Sequence, residues 1–77
     1  MTDIAKTIFK NNVLRAMKKN NMTQAELARR IGIGRSTVNA WFNYGCCPST
    51  NHIADIARVL GVEIKTLLKG IKVEEMI

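Results

Sequence analysis

The segment TQAELARRIGIGRSTVNAWFNY, residues 23 to 44, contains the most informative pattern in the chain. Thr23 can cap a helix, and Glu26 stands where a capping box places its reciprocal acid. Gly32 ends this helix, because glycine readily adopts the left-handed conformation of helix ends, and a second helix begins at Gly34 or Arg35. The segment therefore predicts two short helices joined by a glycine turn. The residues expected to face inward are Leu27, Ala28 and Ile31 in the first helix and Val38, Trp41 and Phe42 in the second.

The second of these helices begins with hydrogen-bonding side chains on its outward face. Two short helices around a three-to-four-residue turn, with a polar tip on the second, form the layout of a DNA-reading helix-turn-helix. An arginine there can bind guanine through two hydrogen bonds, an asparagine can pair with adenine, and a threonine methyl can contact thymine. The alternatives are a solvated or phosphate-bound arginine and an asparagine that binds the backbone. The expected base-reading residues are Arg35, Ser36, Thr37 and Asn39.

Four further polar residues are candidates for phosphate contacts. Gln24 opens the first helix of the segment, where unpaired amides and the positive end of the helix dipole favour an anion. Asn43 stands near the end of the second helix, where the chain would leave a DNA groove, although it could also cap the helix. Lys18 and Lys19 lie near the end of the preceding helix, where they also suit the negative end of its dipole.

The charge balance agrees with a DNA partner. The chain has 12 Lys and Arg against 6 Asp and Glu, a formal net charge of +6. Such a balance favours nucleic acid, an anionic membrane surface or an acidic protein, although solvated lysines give the same count. No apolar run approaches the ~18 residues that cross a bilayer. We therefore expect double-stranded DNA as the partner and no membrane.

Residues that could carry catalysis or hold a metal are few. Cys46 and Cys47 are adjacent, and His52 is the single histidine. Two neighbouring cysteines without a second pair form neither a disulfide framework nor a zinc site. There is no paired acid, no nucleophile with a base and no glycine-rich phosphate loop. The sequence thus predicts no enzyme, no metal, no cofactor and no small-molecule substrate, with free thiols in a reducing cytosol.

Apolar spacing along the chain predicts an all-α bundle of five short helices. The first carries an apolar stripe of Ile4, Ile8, Phe9, Val13, Ala16 and Met17, and ends at Asn20 and Asn21. Residues 1–70 are predicted to form one helix-turn-helix domain. The expected helices are Asp3 to Lys19, a second one capped by Thr23, Arg35 to about Tyr44, Ser49 or Thr50 to Leu60, and Glu63 to Lys69.

Residues 71–77 form a short tail that retains several apolar side chains. It could be a dimer arm, an edge strand or the start of a linker. Because Leu68 and Ile71 lie where the fifth helix meets this tail, we expect them in the interface of a homodimer.

Residues 13 to 68 closely resemble the Cro and lambda-repressor type of helix-turn-helix proteins. The shared pattern continues beyond the central segment into Leu60-Gly61-Val62 and Leu67-Leu68. The resemblance implies five helices, operator binding as a dimer, and repression by blocking polymerase. It also implies a phage, prophage or mobile-element source, a bacterial or infected-cell cytoplasm, and in some members a larger C-terminal dimerisation domain.

Carried onto matching positions, the resemblance makes Gln24 a phosphate-binding and bracing residue, and Asn43 a phosphate contact. Arg35 and Ser36 occupy the base-reading tip, and Thr37 and Asn39 approach base edges. Arg35 replaces the glutamine common at the tip, so the operator sequence cannot be transferred. Two rivals in the same class are a restriction-modification controller and an autoregulatory antitoxin, and a rival from another class is a protein-interaction module.

Overall fold

The computed structural model describes residues 2–72 and 74, and within them the chain forms helices and connecting turns with no strand. The predicted all-α class and the five helices are confirmed. No helix in this described part is long and apolar enough to cross a membrane. In chain order the helices are α1 Asp3–Lys19, α2 Gln24–Ile31, α3 Arg35–Asn43, α4 Thr50–Leu60 and α5 Ile64–Leu67.

Every helix contributes one large side chain to the centre of the molecule. The largest fully buried side chains are Val13 of α1, Leu27 of α2, Val38 of α3, Ile56 of α4 and Leu67 of α5. Burial of apolar surface is the main favourable contribution to folding. The five helices therefore depend on one shared core, and none of them is an independent unit.

Side-chain caps mark the beginning of three of the helices. The hydroxyl oxygens of Thr2, Thr23 and Ser49 accept hydrogen bonds from backbone amides at the starts of α1, α2 and α4. The α2–α3 turn needs a left-handed residue, and Gly32 supplies it at φ +88°. Asn21 has φ +53° after α1, as expected for an asparagine at a helix end.

The predicted apolar stripe of α1 was wrong at its first residue. Ile4 is 65% exposed, whereas the neighbouring Ala5 is completely buried. The buried face continues through Phe9, Val13, Ala16 and Met17, at three- and four-residue steps from Ala5. Ile4 lies about 100° away from that face around the helix, so its side chain points to solvent.

Two helix ends also differ from expectation. α3 ends at Asn43, one residue before the predicted Tyr44, and α5 covers Ile64–Leu67 instead of residues 63–69. The amide of Asn12 on α1 donates to the carbonyls of Leu67 at 2.8 Å and Lys69 at 2.9 Å. These bonds satisfy carbonyls at and just beyond the end of α5, which a helix end leaves without an intrahelical partner.

Leu68 and Ile71, the predicted dimer residues, are half-buried and pack against the core of their own chain. Part of their apolar surface is therefore used within the fold. The expectations for residues 73 and 75–77 of the tail lie outside the described residues.

Candidate nucleic-acid interface

The starts of α2 and α3 meet at a shallow depression on the surface. Its lining is Gln24, Ala25, Arg35, Ser36 and Asn39. The Gly32 turn joins the end of α2 to the start of α3, and the buried side chains of Leu27 and Val38 belong to the same core. The structure thus unites one predicted phosphate contact with three of the four predicted base readers.

The depression is bordered by several hydrogen-bonding groups that have no partner within residues 2–72 and 74. The first amides of α2, at Gln24 and Ala25, have no acceptor within the helix. Arg35 and Ser36 are exposed, and Arg35 makes no ion pair within residues 2–72 and 74. An anion or a base edge placed here would find both amide donors and a guanidinium group.

Asn39 and Asn43 are linked along α3. The side-chain amide of Asn43 donates to the Oδ1 of Asn39, one helical turn earlier. The NH₂ group of Asn39 is left as its donor toward the depression. Asn43 does not cap the helix, because Tyr44 occupies the C-cap position. The bond connects the predicted base reader to the predicted phosphate contact.

Four predicted contacts lie outside the depression, and Asn43, just described, is one of them. Thr37 is exposed on α3 but does not border it. Lys18 and Lys19 are exposed in the last turn of α1, where they suit the helix dipole. The structure therefore leaves these residues available to a large ligand without bringing them to the tip.

The predicted capping box of α2 forms only in part. The Thr23 hydroxyl accepts from the Glu26 amide at 3.1 Å, as expected. The Glu26 carboxylate does not reach back to Thr23 but accepts from Arg29 at 2.6 Å and from Arg30 at 2.8 Å. A guanidinium group four or three residues away offers a charged partner, which a carboxylate prefers to a neutral amide.

This ion-pair group changes the electrostatics beside the tip. Hydrogen bonds from Arg29, and then from Arg30, lower the pKa of Glu26 from 4.5 to about 2. The same carboxylate raises the pKa of Arg29. Since two guanidinium groups share one carboxylate, part of their charge is neutralised, whereas Arg35 retains its charge for a ligand.

The aromatic residues near the end of α3 differ in their surroundings. Trp41, which could have been a stacking platform for nucleotides, is half-buried against the core, with its ring centroid 5.5 Å from that of His52. Tyr44 is 74% exposed at the end of the helix. The sequence analysis assigned no role to Tyr44. Its position directly after Asn43, the last residue of α3, was the one sign in the sequence that its side chain would be exposed beside the polar residues of that helix.

Residues 2–72 and 74 contain no cluster of metal-binding side chains. No three His, Cys, Asp or Glu side chains there lie close enough to hold an ion. Cys46 and Cys47 are exposed and are not joined in a disulfide.

Comparison with known proteins assigns the family. The model of the helix-turn-helix family matches residues 13–67, which include the whole α2–α3 unit and most of the core. Searches among curated proteins and among solved structures found no significant match. Because the family match covers well over half of the chain, the protein belongs to the XRE-type helix-turn-helix family of DNA-binding transcription regulators.

Proposed function

We propose that this protein is a sequence-specific transcriptional repressor that binds a pseudo-palindromic operator as a homodimer. The observation that carries the proposal is the depression at the starts of α2 and α3, where Gln24, Arg35, Ser36 and Asn39 meet. These side chains are polar, exposed or half-buried, and belong to a chain of net charge +6. A helix tip of this kind enters the major groove in helix-turn-helix proteins.

Each residue of the tip has a distinct role in this proposal. Arg35 binds guanine O6 and N7, and Asn39 donates its NH₂ group to a base edge. Gln24 and the first amides of α2 hold a phosphate and set the orientation of α3. Ser36 and Thr37 add weaker contacts, and Asn43 binds a phosphate farther along the groove.

Lys18 and Lys19 attract the DNA backbone without reading sequence. Exposed lysines contribute through the release of counterions from the duplex, whatever the base pairs are. Their place outside the depression suits this role, because such contacts need only reach phosphates flanking the tip.

The dimer in this proposal uses the exposed side of α5. Ile64 is 44% exposed and precedes half-buried Leu68 by one helical turn, and Ile71 follows closely. Two copies related by a two-fold axis would cover these apolar side chains. The two α3 tips would then read half-sites about 34–36 Å apart.

Sedimentation of an Ile64→Lys variant tests this dimer surface. Because Ile64 is exposed in the single chain, the change should leave the fold intact and produce monomers with weaker operator affinity. Ile4→Lys is the matched control, since Ile4 is also exposed and lies on α1. Dimers of the Ile64→Lys variant with unchanged mass would reject this surface.

The leading alternative is a protein-interaction module in which the same helices dock a protein. Titration with a mixed-sequence duplex at increasing salt separates the two. If several phosphates are neutralised, the logarithm of the binding constant should fall by about 0.9 per phosphate for each unit of log salt. A flat response would support the protein partner. A restriction-modification controller or an antitoxin would bind DNA by the same tip and would give the same slope.

The resemblance to the Cro and lambda-repressor type supports a cellular location and a genetic source for this repressor. It would act in the cytoplasm of a bacterium or an infected host cell, encoded by a phage, prophage or mobile element. It would need no cofactor and carry out no catalysis.

A further inference from the structure

A second surface feature lies at the opposite end of α3 from the tip. It is a cleft of about 150 Å³ between the first half of α1, the end of α3 and the α3–α4 loop. Its apolar wall includes Phe9, Trp41 and Phe42, and Lys6 and Lys10 stand on its α1 side. We refer to it as the α1–α3 cleft.

The two lysines of this cleft differ from all other basic residues of the chain. Of the 12 Lys and Arg, only Lys6 and Lys10 are half-buried, and the rest are exposed. They are one helical turn apart on the same face of α1. Neither has an ion-pair partner within residues 2–72 and 74, where the ion pairs involve Arg29, Arg30, Arg58 and Lys65.

This combination points to the chemistry of an occupant. Lysine stems cover apolar surface readily while their ammonium groups stay in water. Two ammonium groups beside an apolar wall, with no carboxylate of the described residues in ion-pair contact with them, complement a molecule that has an anionic head and an apolar body. We propose that the α1–α3 cleft binds a small amphipathic carboxylate, with its head between Lys6 and Lys10 and its body against Phe9 and Trp41.

The size of the cleft limits this ligand. The volume of the cleft, about 150 Å³, equals that of an apolar cavity that holds a benzene-sized molecule. The body of the carboxylate should therefore contain about six carbon atoms, and hexanoate is a suitable probe. A DNA phosphate would satisfy the two lysines but would leave the apolar wall without a partner, so the wall favours the amphipathic ligand.

Trp41 allows a direct measurement of occupancy. It is the single tryptophan of the chain and part of the cleft wall, so its emission should change when the cleft fills. The purified protein would be titrated with sodium hexanoate at constant ionic strength and without DNA. The result is then independent of the proposed repressor function. Hexanamide, which has the same body without the charge, is the matched control ligand.

The matched variants remove the same charge from two places on α1. K6Q/K10Q neutralises the cleft, and K18Q/K19Q neutralises exposed lysines at the far end of the helix. Thermal unfolding would first establish that both variants are folded. We expect saturable binding of hexanoate, a loss of affinity of about five- to tenfold for hexanamide and for K6Q/K10Q, and no change for K18Q/K19Q.

Three results would overturn the proposal. They are no saturable change in Trp41 emission, equal affinity for hexanoate and hexanamide, and equal loss of hexanoate affinity in both double variants. A fourth result would reassign the lysines to DNA: K6Q/K10Q retains hexanoate affinity but lowers the salt slope of duplex binding by about 0.9 per lost phosphate contact.

Discussion

The two ends of α3 present different chemistry although they belong to one nine-residue helix. At its start, Arg35, Ser36 and Asn39 meet the start of α2 in a polar depression. At its end, Trp41 and Phe42 meet α1 in a cleft with an apolar wall. Val38 lies between the two ends and is completely buried. A helix this short, about 13 Å long at 1.5 Å per residue, can thus serve two surfaces because its middle is anchored in the core.

The largest expected effect is a loss of stability that unfolds the structure at both ends of α3 together. Leu27 is completely buried, and we expect Leu27→Ala to lower the free energy of unfolding by about 2–5 kcal/mol. Trp41 emission and backbone NMR signals of the tip should then be lost in one urea transition. Leu14→Ala, at a residue 38% exposed on α1, is the control with a smaller effect. Separate transitions for the two ends would contradict the shared core.

A smaller effect, a loss of DNA affinity, should arise from a substitution at the tip alone. If Arg35 binds guanine, Arg35→Ala should weaken the selected operator by about 1–3 kcal/mol, or roughly 5- to 150-fold, and relax specificity at that base pair. Arg58→Ala is the control, because Arg58 lies on α4 and pairs with Asp55. Fluorescence anisotropy with labelled duplexes measures both. Unchanged operator affinity for Arg35→Ala would show that the tip is assigned to the wrong residue.

Loss of the cap of α2 should lower local stability at the start of α3 more than at its end. Thr23→Ala removes the hydroxyl that accepts from the Glu26 amide, and a lost cap typically lowers stability by about 1 kcal/mol. Thr23→Ser retains the hydroxyl and should restore most of it. Hydrogen exchange should quicken first in α2 and the tip, not in the α1–α3 cleft. Equal quickening at both ends would indicate that the cap acts only through global stability.

The smallest effect concerns pH. The pKa of Glu26 is lowered to about 2 by its bonds to Arg29 and Arg30. Its contribution to stability should therefore be complete above 4.5, the ordinary value, and be lost as the pH falls through about 2. Carbon-detected NMR titration measures this pKa, and Glu26→Gln should be less stable than the native chain at neutral pH but converge with it in acid. A Glu26 carboxyl titrating near 4.5 would show that the ion pairs do not persist in solution.

Local signals explain why the tip was predictable and the cleft was not. Thr23, Gly32 and Gly34 mark helix ends within a few residues, and the polar start of α3 follows directly from them. The half-burial of Lys6 and Lys10 depends on how α1 packs against the end of α3, which is remote in sequence. Lysines on a helix surface look alike in a sequence until a neighbouring element covers some of them.

Two further differences have the same cause. The carbonyl of Leu67 at the end of α5 accepts a hydrogen bond from Asn12, which is 55 positions earlier, and no local pattern predicts that bond. Glu26 can reach Thr23, Arg29 or Arg30, since all lie three or four residues away, and only the folded geometry selects the arginines. Spacing therefore predicted which residues form the helices but not which partner each side chain chooses.

Selection from a random duplex DNA pool at physiological salt, followed by sequencing, tests the central claim most directly. The proposed repressor should enrich an inverted repeat with half-sites about one helical turn apart. Arg35→Ala should lose the preference for guanine at one position of each half-site. A pool without any enriched sequence, from a folded chain at the same salt, would contradict the assignment of the α2–α3 tip as a sequence-reading surface.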